Sequence, residues 1–231
     1  MSKRSKRMKG IDQAIDREEV VSVDQAIEKL KQCPPVKFDQ SIEIAMKMGV
    51  DPRKSDQLVR GTVSLPHGTG KKLRVLALTQ GEKIQEALDA GAEFAGPEYI
   101  DKIKDGWVDF DAVVASPDMM REVGKLGRVL GPRGLMPTPK DGTVTADVGK
   151  AVVELKKGKI SFKVDRHGVI NNAVGKVSFE VGQLTENLKT FISSVMKAKP
   201  AGAKGQYVRS VSVSSTMGPG LRIDPRSVEI E

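Results

Sequence analysis

The chain has 231 residues, 39% of them apolar and 29% charged, with a formal net charge of +8. That length suits one large domain or two ordinary ones, and the apolar share is enough to build cores. No apolar run approaches the roughly 18 residues that a membrane-spanning helix needs. MSKRSKRMKG has no apolar segment behind it and does not read as a secretory signal. The single cysteine, Cys33, precludes an intrachain disulfide and suits a reducing cytoplasm. His67 and His167 stand far apart with no cysteine cluster near either, which argues against a metal site.

Residues 1–10 read as a basic, solvated tail. Ser22 or Asp24 can cap a helix running to about Gln32, with Ala26, Ile27 and Leu30 on one face and Pro34-Pro35 ending it. From Phe38 the chain alternates, with Ile42, Ile44 and Met46 on one side, which predicts a half-buried strand. Val59 to Leu65 offers a second strand, and the turn chemistry of GVDPRKSD between them predicts a two-stranded antiparallel unit.

The pattern changes at PHGTGKK (66–72). Strands at 73–78, 93–95 and 111–115 alternate with helices at 82–90, 98–104 and 117–123, the signature of βαβ units around a parallel sheet. A further helix at about 146–156 precedes KKGK (156–159). Strands are then expected at 159–164 and 176–179, an amphipathic helix at 184–197, and a strictly alternating strand at 207–216 that ends in TMGPG. The predicted fold class is α/β: an α+β terminal-half domain (11–68 plus 159–228) carrying an inserted Rossmann-like α/β domain (69–158), because domain termini lie close enough to permit insertion.

Charge follows the same partition. Residues 1–68 hold 13 Lys/Arg against 10 Asp/Glu and residues 160–231 hold 10 against 6, whereas 69–159 hold 15 against 14. Within the middle, 82–118 carry 10 acids and only 3 bases and should repel phosphate. The basic ends are therefore the expected nucleic-acid surface.

One segment of the middle departs from this. Residues 124–142, GKLGRVLGPRGLMPTPKDG, combine five glycines and three prolines with Lys125, Arg128, Arg133 and Lys140. Glycine permits close backbone approach and proline fixes φ, so a shaped basic loop suits a polyanion as a secondary RNA contact. GKLG and GPRG each match a GxxG backbone clamp, which leaves a stand-alone RNA-binding regulator as the alternative.

Enzymatic readings fail on their chemistry. HGTGKK lacks the first glycine and the Ser/Thr of a phosphate-binding loop and precedes its strand, so no nucleotide cofactor is implied. Asp109 and Asp111 flank Phe110 as surface carboxylates would, and no nucleophile elbow or acid–base pair emerges. Aromatic residues make up only 4%, which disfavours extensive base stacking and favours recognition of folded RNA by shape and 2′-hydroxyls. Ser210, Ser212, Ser214 and Thr216 lie at period two on one face of the last predicted strand and supply such hydroxyls, beside Arg209, Arg222 and Arg226.

Three segments together resemble one family: KLGRVLGPRGLMPTPKDGTV, FDQSIEIAMKMGVDPRKSDQLVRGTVSLPHGTGK and SVSVSSTMGPGLRID. The chain is identified from them as a member of the L1 family of large-subunit ribosomal proteins, the mobile-stalk protein beside the tRNA exit site, over about residues 10–228. The resemblance implies a two-domain fold, no enzymatic activity, no cofactor and a cytoplasmic, ribosomal location. It implies large-subunit rRNA, exit-site tRNA and the chain's own operon mRNA as partners, with a part in tRNA release and translational repression. Its RNA-contacting residues map onto Glu28, Phe38, Ser210, Thr216, Met217 and Gly218. His167 falls at a turn to which the resemblance assigns nothing, and the same holds for the three residues after Val228.

Overall fold

The computed structural model describes residues 5–16 and 19–224. It divides into two compact units: Met1–Gly70 with Ser161–Glu231, called the split unit below, and Lys71–Ile160, the inserted unit. Along the chain the regular elements are α1 (Lys6–Ala14), β1 (Val20–Val21), α2 (Val23–Lys31), β2 (Ser41–Met48), β3 (Arg60–Ser64), β4 (Val75–Leu78), α3 (Lys83–Asp89), β5 (Phe94–Ala95), α4 (Tyr99–Lys104) and β6 (Ala112–Ala115). They continue as α5 (Met120–Lys125), α6 (Gly127–Leu130), α7 (Val148–Lys156), β7 (Lys159–Lys163), β8 (Val169–Lys176), α8 (Val181–Lys197), β9 (Val208–Ser215) and β10 (Gly220–Ile223).

The split unit is built on a five-stranded sheet of order β1-β10-β9-β2-β8. β2 is central and antiparallel to both neighbours, with Ile44 opposite Val213 on β9 and Met46 opposite Ile170 on β8. These side chains are buried, as are Ala26, Ile27 and Leu30 of α2 and Leu184, Leu188, Phe191, Ile192 and Val195 of α8. Those helical positions recur every three or four residues, so each helix presents one apolar stripe while its other face stays polar. A reciprocal capping box starts α2, in which Ser22 accepts from the Gln25 amide and Gln25 accepts from the Ser22 amide.

Three expectations fail here. β2 and β3 do not pair: β3 pairs with β7, while β2 takes β8 and β9 on its two edges. The connector contains Pro52 and a 3-10 turn at Ser55–Gln57, which carries the chain out of the sheet before β3 begins. The strand expected at 176–179 lies instead at Val169–Lys176. Polar Asn171 and Asn172 broke its apolar alternation, and Asn172 donates its side-chain amide to the Ser161 carbonyl at 2.9 Å. The basic tail is helical from Lys6, capped by Ser5 and held by Ile11 (1% exposed); residues 1–4 lie outside the described residues.

The inserted unit carries a three-stranded parallel sheet of order β5-β4-β6. Every residue of β4 is buried, as a strand covered on both faces requires. Leu76 and Leu78 face Ile100, Ile103, Phe110, Leu126 and Leu130, while Val75 and Ala77 face Ala87, Val148, Ala151 and Val152. Phe94, Tyr99, Trp107 and Phe110 form a chain of ring contacts with centroids 5.0 to 5.4 Å apart. The helix expected from Pro117 opens as a 3-10 turn, Pro117–Met119, before α5.

Candidate nucleic-acid interface

Two stretches distant in sequence are stitched together at one edge of the split unit. The loop before β2 spans residues 34–40, and the turn TMGPG links β9 to β10. The Thr216 amide donates to the Ser41 carbonyl at 3.1 Å, and the Ser41 amide donates to Thr216 Oγ1 at 3.0 Å. Gln40 is 6% exposed and its Oε1 accepts the Met217 amide at 2.9 Å. Asp39 accepts from both the amide (3.2 Å) and the hydroxyl (2.8 Å) of Ser178. Lys176 Nζ reaches Ser41 Oγ at 3.0 Å.

On this pinned backbone stand two large apolar side chains in solvent, Phe38 (53% exposed) and Met217 (51%). They are two of the large apolar side chains that the fold leaves exposed, and these two lie on segments stitched together by hydrogen bonds. Gly218 completes the turn. A Cβ there would come within 2.1 Å of Ser215 Oγ, so the position admits only hydrogen as the structure stands. Burying donors and acceptors in paired form costs little, whereas leaving them unpaired is expensive. The network therefore fixes the backbone that carries Met217.

The other assigned residues sit elsewhere. Ser210 lies opposite Lys47 toward the far end of β9, roughly 20 Å along the strand from Thr216 at about 3.3 Å per residue. It belongs to the sheet face not covered by α2 and α8. There Ser212 opposes Ala45 and Arg222, and Ser214 opposes Glu43 and Gly220. Most of these side chains are small, so a ribose-phosphate backbone could approach the sheet closely. Glu28 is exposed on α2, outside the hydrogen-bond network of the turn. The geometry thus brings Phe38, Thr216, Met217 and Gly218 together and leaves Ser210 and Glu28 apart from them. Sequence reasoning missed Gln40, Asp39 and Ser178, whose roles depend on pairings across more than a hundred residues.

The same unit also has a cleft of about 460 Å³ lined by Pro52, Leu58, Lys163, Val164, Asp165 and Arg166. Asp165 caps its turn by accepting the amides of His167 and Val169, both at 2.8 Å. The Val169 amide bond is the main reason its carboxyl lies below the usual range.

In the inserted unit, 124–142 is less of a loop than its glycines suggest. Leu126 and Leu130 are fully buried, and α6 occupies Gly127–Leu130. Gly124 and Gly127 of GKLG therefore fall in α5 and α6, not in a clamp loop. Lys125, Arg128, Arg133 and Lys140 are all exposed, and Lys125 is paired with Glu122 at 2.7 Å. Left-handed backbone occurs at Gly134 and Gly142 (φ 70° and 68°), where a side chain would be strained. The two carboxylates that flank Phe110 are ion-paired. Asp111 accepts from Lys71 Nζ (2.7 Å) and from Arg74 Nε and the Arg74 amide (3.2 Å each), and Asp109 binds Arg74. The Lys71 bond leads in holding Asp111 at about 2. Among the described residues no group of His, Cys, Asp and Glu could hold a metal ion, and no helix is long and apolar enough to cross a membrane.

Comparison with known proteins decides the family. The ribosomal protein L1p/L10e family matches residues 27–219, which include both halves of the stitched edge and the whole inserted unit. The chain belongs to this family. Large ribosomal subunit protein uL1 of Protochlamydia amoebophila is 61% identical over 231 residues, covering 100% of this chain and 98% of that one. The uL1 proteins of Chlamydia abortus and Chlamydia trachomatis serovar L2b are 58% and 57% identical over 229 residues, covering 99% of each chain. Membership of the L1p/L10e family places the chain among ribosomal proteins rather than enzymes.

Proposed function

We propose that this chain is a structural constituent of the large ribosomal subunit that binds large-subunit rRNA directly through its split unit, with the edge formed by residues 38–41 and 216–218 as the primary contact. The observation that carries the reading is the pair Phe38 and Met217, half exposed on segments pinned by the Ser41–Thr216 and Gln40–Met217 hydrogen bonds. Such a surface can stack or wedge against folded RNA without reorganising, while Thr216 and the serines of β9 meet 2′-hydroxyls. Glu28 and Ser210 extend the contact along α2 and the open sheet face. Arg128, Arg133 and Lys140, with Lys125, form the secondary contact in the inserted unit, to rRNA or exit-site tRNA. Participation in tRNA release and repression of the chain's own operon mRNA follow from the family resemblance, the mRNA being bound by the same edge through mimicry of the rRNA site.

Footprinting and filter binding on deproteinised large-subunit rRNA test this. Met217→Asp is expected to weaken binding at least tenfold by setting a carboxylate against phosphate, with thermal stability retained. Acidic replacement of Lys125 and Arg128 is expected to cost little. Equal binding by the parent and Met217→Asp would overturn the assignment. Abolition by the Lys125 and Arg128 replacements would favour a GxxG-type regulator instead.

A further inference from the structure

The first helix reaches into the stitched edge from behind. Arg7 Nη1 donates to the Met217 carbonyl at 2.7 Å, and Nη2 donates to the Pro34 carbonyl at 3.1 Å. These acceptors lie 210 and 27 residues away in sequence, one in the TMGPG turn and the other in the loop leading to Phe38. The helix that carries Arg7 is itself docked, with Ile11 1% exposed and Ile15 7% exposed. Met217 is consequently held on both sides of its residue, its amide by Gln40 and its carbonyl by Arg7.

We infer that Arg7 is a positioning residue of the RNA surface, its guanidinium tying the loop that bears Phe38 to the turn that bears Met217; this rests on the rRNA-binding reading above. A planar fork is what the geometry demands. Two carbonyls on separate segments are met at fixed spacing by two nitrogens of one rigid group, whereas an ammonium is a single point charge on a flexible stem. Charge is thus not the whole of the role. Arg7 Nε is buried without a hydrogen-bond partner, so the guanidinium is committed through its two terminal nitrogens. Cys33, beside Pro34, offers a reporter: burial raises its thiol above the ordinary range and the Arg7 charge opposes that rise.

The proposal separates from a direct phosphate contact by comparing Arg7→Lys with Arg7→Gln in the full chain. Deproteinised large-subunit rRNA serves as ligand, at several salt concentrations. The positioning role predicts that both variants bind about tenfold more weakly, because the ordered turn falls to about a tenth of molecules and apparent affinity falls with it. It also predicts an unchanged slope of log affinity against log salt, faster hydrogen exchange at the Met217 amide in both variants, and a higher Cys33 thiol pKa in Arg7→Gln. Parental affinity in Arg7→Lys, or a slope reduced by about one phosphate with parental exchange, would overturn it in favour of a simple charge contact. Parental affinity and exchange in both variants would also overturn it. Failure of the rRNA reading looks different, since the parent and Met217→Asp would then bind alike whatever Arg7 does.

Discussion

Gly218→Ala isolates one atom pair in the TMGPG turn. The added Cβ would lie 2.1 Å from Ser215 Oγ, while its next neighbours, Ser215 Cβ at 3.4 Å and Ser215 N at 3.6 Å, are ordinary contacts. Gly218 does not occupy left-handed backbone, so the cost is steric and confined to a hydroxyl. Ser215 is 3% exposed and its Oγ has no hydrogen-bond partner. Forcing it out of its rotamer in a packed site costs about 1–3 kcal/mol. For a chain of this size, about 2 kcal/mol lowers Tm by about 6 °C. Ser215→Ala alone should be neutral or stabilising by about 1 kcal/mol, because it removes a buried, unpaired hydroxyl. The double variant Ser215→Ala/Gly218→Ala should return to within about 0.5 kcal/mol of Ser215→Ala, a coupling of about 2 kcal/mol in a double-mutant cycle. Urea and thermal unfolding measure the cycle, and rRNA affinity should follow it. A double variant as unstable as Gly218→Ala would refute the steric account.

Asn187, fully buried on α8, accepts the His67 amide at 3.1 Å and donates to the carbonyls of Gly68 (2.9 Å) and Val174 (2.8 Å). Asn187→Ala should cost about 3 kcal/mol in chemical denaturation and increase proteolysis near Gly68. Asp111 supplies a pH-dependent contrast. Its carboxyl is depressed to about 2 by Lys71 and Arg74, so its stabilisation is complete above the ordinary carboxylate value and disappears as pH falls toward about 2. The stability difference between the parent and Asp111→Asn should therefore be constant from neutrality to about pH 5 and close at lower pH.

Elements were legible where a local period carried them. The stripe Leu184, Leu188, Phe191, Ile192 and Val195 announced α8, and the apolar run at 73–78 announced a strand. TMGPG and Phe38 were visible as motifs. What stayed hidden was set by long-range pairing. No local signal says that β2 takes β8 and β9 instead of β3, or that Asn172 belongs inside a strand. Gln40 and Arg7 look like ordinary solvated residues in sequence. Their importance arises only when residues 177 and 210 positions away arrive beside them. The glycine-rich segment 124–142 misled in the opposite sense, because its leucines build core more than its glycines build loop.

The order of strands also sets a timetable for synthesis. The inserted unit is one continuous stretch and can close its parallel sheet while later residues are still being added. The split unit cannot, because β2 waits as a central strand until β8 and then β9 exist to flank it. The Ser41–Thr216 stitch joins partners 175 residues apart, so it forms only when the last strands have left the exit tunnel. A chain interrupted after Ile160 but before that point would contain a folded middle and a basic beginning, but no stitched edge. On the proposed reading of that edge, unfinished copies would be denied a place on the RNA without any separate act of inspection.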